Sequence, residues 1–535
     1  MPARRGGQLI LVLGDQLDRG SAALRVADRA RDTVLMMEVA RESTHVPSHR
    51  QRTVMFLAAM RHHAAWLERE GFRVRYVRLT DDGNTQTFGG EVARAVAALS
   101  PAGIRVVEPG EWRVLHELEE AARGLGVPME VIPDGHFLAS RDEFAAWASG
   151  KRGLVMETFY RHQRKRLGIL MEPDGTPTGG AWNFDEENRE SFGPKGPGPR
   201  VPEPPAFEPD EVVRGVEADV ARALPDLPGR PGRLIWPVTH EQATSCLEDF
   251  VRRRLERFGP YEDAMWEGRP YLYHSVLSAP LNLKLLDPRA CVMAAVSAYR
   301  AGRAPLRSVE GFVRQIIGWR EFIRGVYWRE GPGYAERNGL DHRLALPAVY
   351  WTGETTMNCV KVCVNEVLDR SYGHHIQRLM VTGNLALLLG VNPREVSDWY
   401  LGMYADGVDW ATLPNALGMS QHADGGVVGT KPYAASGKYI KRMSNYCAGC
   451  RHDPGERTGE RACPFNALYW DFLIRHRGRF GTNPRMAMIL KNVDRMPEAE
   501  RVEVRVSASR ARSGLGLGLG LAASHVGRTT GPERQ

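Results

Sequence analysis

The sequence predicts two fold classes in one chain: an N-terminal α/β domain built on a doubly wound parallel sheet, and an all-α C-terminal domain. Three observations predict this. Residues 8–140 alternate short apolar runs with amphipathic stretches, the pattern of strand–helix–strand units. Residues 172–210 are crowded with glycine, proline and acidic residues, which is linker composition. From about residue 240 to 490 the apolar residues recur with helical spacing.

The first apolar run, Leu9–Leu13, follows a short basic stretch. It is too short for a signal-peptide core and has no small-residue cleavage pattern, so it reads as a buried first strand. Thr33–Val39, Arg73–Val77, Ile104–Val107 and Met129–Ile132 supply four more strands, with helices expected over Val54–Arg69, Glu91–Leu99 and Glu111–Gly124. The loop Gly14-Asp15-Gln16-Leu17 falls at the end of the first strand, where such sheets bind ligands. It lacks a G-x-G-x-x-G fingerprint, so no dinucleotide is expected there.

An interdomain linker is expected over 141–240, with Gly193–Pro199 as its least structured part. The helical domain, 241–495, contains the expected helices Ala243–Phe258, Asp287–Ala301, Ser308–Arg324, Met357–Asp369 and His375–Leu389. From 496 to 535 the alternating Leu-Gly tract predicts a disordered tail.

A chain of 535 residues holds two or three domains with ample core. Seven cysteines in that length make no disulfide scaffold, which points to a reducing, cytoplasmic setting. No segment reaches the roughly 18 apolar residues of a membrane span. The net charge of +7 is spread thinly; it permits nucleic-acid binding without demanding it.

The strongest chemical signal is a set of cysteines: Cys447 and Cys450 as C-x-x-C, Cys463 followed by Pro464, and Cys359 upstream. Thiolates gathered this way hold a metal or an iron–sulfur cluster; buried structural thiols or a redox C-x-x-C are the plainer readings. In Tyr271–Asn282, the hydroxyls of Ser275 and Ser278 and the amide of Asn282 can cradle a diphosphate or simply cap a helix. Gly318–Gly325 places Arg320 and Arg324 on one helix face, by default a surface charge pattern with a core tryptophan. The adjacent His374 and His375 suit proton donation or metal ligation, or a structural pair. Asp398-Trp399-Tyr400, Tyr404, Asp406, Asp409-Trp410 and Asn415 suit a flat heterocycle or an ordinary helix–loop core.

Together these stretches resemble the cryptochrome/photolyase family, and within it the iron–sulfur bacterial branch that includes the prokaryotic (6-4) photolyases. The resemblance spans residues 8 to about 495. It rests on the Gly-Asp-Gln-Leu loop, Tyr-His-Ser-x-x-Ser-x-x-Leu-Asn, Gly-Trp-Arg-Glu-Phe, Tyr350-Trp351-Thr352-Gly353, the histidine pair, Asp398-Trp399-Tyr400 and the four-cysteine spacing.

The resemblance implies an N-terminal antenna domain and FAD in the helical domain. Flavin contacts carry over onto Tyr273, His274, Ser275, Leu277, Ser278 and Asn282, and onto Arg320, Asp406 and Asn415 at the ring. It implies a [4Fe–4S] cluster on Cys359, Cys447, Cys450 and Cys463, with Cys363 as the competing ligand. Trp399, Tyr400 and Trp351 match an electron relay to the flavin, and a 6,7-dimethyl-8-ribityllumazine antenna would meet Asp15, Gln16 and Glu38. UV-damaged DNA would be held by Arg50, Arg52, Lys431, Lys438 and Lys441, with Tyr433 stacking on extruded bases. The implied activity is light-driven repair by a monomer. A (6-4) adduct needs a proton donor, and His374 and His375 are the candidates, His375 foremost. A blue-light photoreceptor of the same fold is the alternative; an iron–sulfur nucleic-acid-binding protein without flavin is a further one.

Overall fold

A computed structural model describes residues 6–151 and 153–517. Five short strands form one sheet: β1 (Gln8–Leu11), β2 (Thr33–Met37), β3 (Arg73–Val77), β4 (Gly103–Val107) and β5 (Met129–Ile132). Their order is β3-β2-β1-β4-β5 and every pairing is parallel. Ile10 and Leu11 of β1 and Leu35 and Met36 of β2 are buried, as strands covered on both faces require. Three long helices accompany the strands: α1 (Arg50–Arg69), α2 (Phe88–Leu99) and α3 (Trp112–Gly124). The strand order reverses between β1 and β4, so the ends of these strands open a crevice between them.

The stretch expected as linker is only partly that. Helices Arg141–Ala148, Met156–Leu167 and Glu211–Ala223 stand inside it. Phe144 and Phe159 bury against Phe322 of the helical domain, so the chain is anchored before it reaches the Gly/Pro-rich part.

The second half is helical throughout the described residues. The elements that matter for the site are α4 (Asn358–Arg370), α5 (Pro393–Met403), α6 (Gly437–Met443) and α7 (Pro464–Arg475). Three π-helical stretches, Arg314–Arg320, Gln377–Gly383 and Asn415–Ser420, interrupt the α-helices. Such widened turns recur at functional sites.

The expected tail disorder is corrected for its first part. Helix α8 (Glu498–Gly514) packs along α7, with Val504 and Ala508 fully buried and Arg512 bonded to Asp471 at 2.5 Å. Residues 518–535, the remainder of the expected tail, lie outside the described residues.

Buried polar contacts knit the two halves. Lys284 pairs with Asp134 at 2.8 Å, His136 Nε2 donates to the Leu286 carbonyl at 2.7 Å, and the Trp112 N–H donates to Tyr327 Oη at 2.9 Å. No described helix is long and apolar enough to cross a membrane.

Candidate functional site

The segment Tyr271–Lys284 is locally strained. Leu272, Val276 and Lys284 have φ of 43°, 57° and 65°, a region that costs non-glycine residues about 1–3 kcal/mol each. Strain of this kind is retained where a backbone is shaped around a ligand. His274 is buried here and stacks on His374 at 4.3 Å and 18°. His274 Nε2 and His374 Nδ1 are buried with no hydrogen-bond partner. Among the described residues the hydroxyls of Ser275 and Ser278 also make no side-chain hydrogen bond, and both are half-buried. Unpartnered buried polar atoms of this sort call for a ligand or water.

Opposite them stands an ion pair that the sequence reading missed. Arg378 holds both carboxylate oxygens of Asp406 at 3.0 Å, and Asn282 Nδ2 donates to the Asp406 carbonyl at 2.8 Å. Arg378 also lies over Tyr404 at 4.0 Å. Its signal was available, since Arg378 follows His374 by four residues and so shares its helix face. Tyr273 and Leu277 are buried beside the cluster; Tyr273 packs in an aromatic group with Phe192 and Tyr261.

One of the expected ring contacts, Arg320, is corrected, and the other, Asn415, is placed at the surface. Arg320 is spent at the domain boundary, on Glu321 Oε1 at 2.8 Å and His136 Nδ1 at 3.0 Å, over the face of Phe137. Asn415 is exposed and donates to the Ala411 carbonyl of its own helix at 2.8 Å.

The two histidines are inequivalent. Burial, with His274, His375 and Arg378 alongside, holds His374 well below the usual histidine range. That environment disfavours the charged imidazolium on His374. His375 has a half-exposed side chain, with Nε2 3.6 Å from Asp263 Oδ1. Ligand nitrogens of His274, His374 and His375 lie within 4.8 Å of one another. The near-parallel stacking of the first two sends their in-plane lone pairs side by side rather than to one point, so the trio is not preorganised for a metal.

Tyr350, Trp399 and Tyr400 form a series of rings in contact. Trp399 is buried on α5, its ring 5.3 Å from Tyr400 and 5.1 Å from Tyr350, and its Nε1 donates to the Tyr350 carbonyl at 3.1 Å. Tyr400 Oη donates to the Arg378 carbonyl at 2.8 Å, which sets one end of the series beside the ion pair. Trp351, the residue after Tyr350, is about one-third exposed. Tyr350 is the ring the sequence reading omitted.

Cys359, Cys447, Cys450 and Cys463 line one small cavity with Met357, Ile440 and Tyr446, and none is in a disulfide. Burial and the neighbouring thiols push the Cys359 thiol well up; neutral thiols there are costly to ionise unless a cation shares the site. A Cβ on Gly437 would fall 2.7 Å from Cys463 Sγ, so α6 begins at a point kept free of side chain. Cys363 lies outside this lining, beside Tyr446 and Gln377.

In the crevice between β1 and β4 a cavity of about 80 Å³ is lined by Asp15, Glu38, Glu42, Arg52, Phe56 and Glu111, among others. Burial pushes Asp15 up to about 6. Glu38 is saturated by Arg61 at 2.7 and 2.9 Å, Tyr76 Oη at 2.7 Å and the Leu79 N–H at 2.8 Å. Gln16 turns away to the Val107 carbonyl at 2.8 Å. Of the three expected antenna contacts, only Asp15 is left with an uncommitted side chain.

Among the basic candidates, Lys438 and Lys441 are exposed on α6, Tyr433 is exposed nearby and Lys431 is half-buried. Lys441 lines a large groove with Trp266, Arg442 and Arg461. Arg50 and Arg52 are corrected. Arg50 donates to the Pro225 carbonyl at 2.7 Å, and buried Arg52 donates to the Gly407 carbonyl at 2.8 Å.

A parallel 3-2-1-4-5 sheet joined to such a helical body is the architecture of photolyases and cryptochromes. A bacterial class III photolyase from Agrobacterium tumefaciens superposes with a TM-score of 0.52 at 15% identity, over 83% of this chain and 87% of that one. A cryptochrome from Synechocystis sp. PCC6803 gives 0.54 at 15% identity, over 82% and 88%. Residues 10–236 match the family described as deoxyribodipyrimidine photo-lyase-related protein. A (6-4) photolyase from Agrobacterium fabrum strain C58 is 47% identical over 498 residues, 93% of this chain and 97% of that protein. The chain belongs to the photolyase/cryptochrome family.

Proposed function

We propose that this protein repairs (6-4) photoproducts in UV-damaged DNA by light, with FAD as its cofactor. The observation that carries the reading is the asymmetric histidine pair: a buried neutral His374 against His274, and an exposed His375 beside Asp263. The extensive identity to a protein named a (6-4) photolyase supports the same substrate.

The residues fit the flavin. Ser275, Ser278, His274 Nε2 and His374 Nδ1 offer polar atoms without protein partners, and Arg378–Asp406 offers a charged edge for the ring. When bound and reduced, FAD supplies the excited-state electron that opens the lesion bond. The chain does the rest. Bases turned out of the duplex would be received at the surface beside the half-exposed His375. His375 Nε2–H is placed to give a proton to the hydroxyl that must move between the bases, with Asp263 Oδ1 3.6 Å away. His374, held neutral, keeps a second positive charge out of the pocket. Tyr400, Trp399, Tyr350 and Trp351 line a path for re-reduction from solvent, and Lys438 and Lys441 face the phosphates.

The four thiols fit a [4Fe–4S] cluster better than a single ion. Among the described residues only the histidine trio gathers three ligand atoms within 4.8 Å, whereas one tetrahedral ion with bonds of about 2.3 Å would draw its sulfurs to about 3.8 Å. A cluster there would tie α4, the loop after α6 and the start of α7 together.

The lumazine antenna does not fit the described cavity. About 80 Å³ falls well short of the roughly 300 Å³ at which small-molecule pockets begin. No step is assigned to an antenna.

The test is light-dependent repair by purified protein on two oligonucleotides, one with a (6-4) adduct and one with a cyclobutane dimer. Restoration of the (6-4) strand, and its loss in His375→Ala with flavin photoreduction retained, is expected. Repair of neither strand despite reduced flavin and bound DNA would make the protein a photoreceptor.

A further inference from the structure

The turn that carries the histidines is gripped from a side the repair reading does not use. The His374 N–H donates to Gln377 Oε1 at 3.0 Å, while Gln377 Nε2 donates to Glu366 Oε2 at 2.6 Å and to Tyr446 Oη at 3.1 Å. Glu366, Gln377 and Tyr446 are all buried. The amide has one workable orientation, because turning it over would set its oxygen against the Glu366 carboxylate and its NH₂ against the His374 N–H.

Both outer partners belong to the cysteine-bearing segments. Glu366 follows Cys359 on α4 by seven residues, two turns, and so shares its face. Tyr446 immediately precedes Cys447, and its carbonyl accepts from Asn358 Nδ2 at 3.0 Å. On the other side of the turn, Arg378 Nε donates to the Gly373 carbonyl at 2.7 Å, and the same guanidinium pairs with Asp406. The short turn Gly373–His375 is therefore clamped between the ion pair and the cysteine centre.

We propose that Gln377 is a positioning residue for the histidine pair, and that Glu366 and Tyr446 transmit to it the placement of the two cysteine-bearing segments. Movement of the cysteine loop displaces Tyr446, tilts the amide, and releases the His374 N–H. The direction in which the His375 ring leaves the backbone changes with it. The cysteine centre thereby gains a mechanical task in proton donation that requires no electron to pass through it. The activity arm of the test rests on the repair reading; the histidine environment does not.

Gln377→Met keeps the side chain's length and removes both ends of the bridge. The full-length holoprotein would be compared with wild type for iron content, FAD content, flavin photoreduction, (6-4) repair and histidine ring NMR signals assigned with His374 and His375 variants. Iron, FAD and photoreduction are expected to match wild type. The signals of His374 and His375 are expected to shift, and repair to slow by about tenfold or more, as small misplacements of a reacting group do. Tyr446→Phe, which removes one hydroxyl, is expected to shift the same signals less, and it carries the test if Gln377→Met does not fold. Unmoved histidine signals, or signals that move only with loss of iron, would overturn the proposal. Should the signals move while wild type repairs neither lesion, positioning stands and the repair reading falls.

Discussion

Replacing Trp399 by phenylalanine separates packing from electron delivery at one buried ring. Trp399 is 1% exposed, touches Tyr350, Tyr400 and Tyr404, and spends its Nε1–H on the Tyr350 carbonyl at 3.1 Å. Loss of that donor leaves a buried carbonyl unpaired, at a cost of about 1–3 kcal/mol. The smaller ring leaves a void worth roughly 1 kcal/mol more at about 24 cal/mol per Å³. Unfolding entropy of about 2.1 cal/mol/K per residue over a chain this long turns the total into a melting shift of only about 2–4 °C. The variant should fold, bind FAD and keep its tyrosines in place. Yet the hop between Tyr400 and Tyr350 loses its indole, and a phenyl ring is far harder to oxidise. The assay is flavin reduction under blue light with an external reductant, read by absorbance, beside a thermal scan. Photoreduction slower by an order of magnitude or more, with a small melting shift, is the expected pair. Reduction at the wild-type rate would refute the relay through Trp399.

Cys447→Ala should lose iron and most soluble protein together, since ligand binding and folding are linked; soluble protein with full iron content would remove Cys447 from the ligand set. Arg378→Met should strip FAD, because Asp406 is left as an uncompensated, largely buried charge at a cost of about 3–5 kcal/mol; retention of FAD on gel filtration would count against the ion pair as a ring contact. Stability should fall with acid. Burial, with Arg320 beside it, lowers His136 from 6.5 to about 3, so its contribution is intact above pH 6.5 and is lost as pH falls from there toward 3. At pH 5 this one residue costs about 2 kcal/mol, and denaturant midpoints that do not change between pH 7 and 5 would contradict it.

The parallel sheet was legible because its strands are covered on both faces and read as continuous apolar runs, as in Val34–Met37. The thiol set was legible because a C-x-x-C pair needs no long-range information. What was not legible depends on distant partners. Arg52 looks like any surface arginine until α1 is docked under the loop at Gly407. The Asp406–Arg378 pair joins residues 28 apart across two elements. Helix α8 is too polar to announce itself; it owes its burial to Val504 and Ala508 meeting α7 and to Arg512 reaching Asp471. Phe144 was hidden by the Gly/Pro-rich sequence that follows it in the same interdomain stretch.

Two consecutive carbonyls have different owners. The Asp406 oxygen is held by Asn282 of the helical half, and the Gly407 oxygen by Arg52 of the α/β half. Gly407 admits no substitute, for a Cβ there would meet the Leu401 oxygen at 2.2 Å. The α/β half is thus a brace for the flavin-side loop, whatever its own crevice contains. Chimeras that exchange this half between relatives would retune the colour and redox balance of the flavin even when every residue around the ring is unchanged.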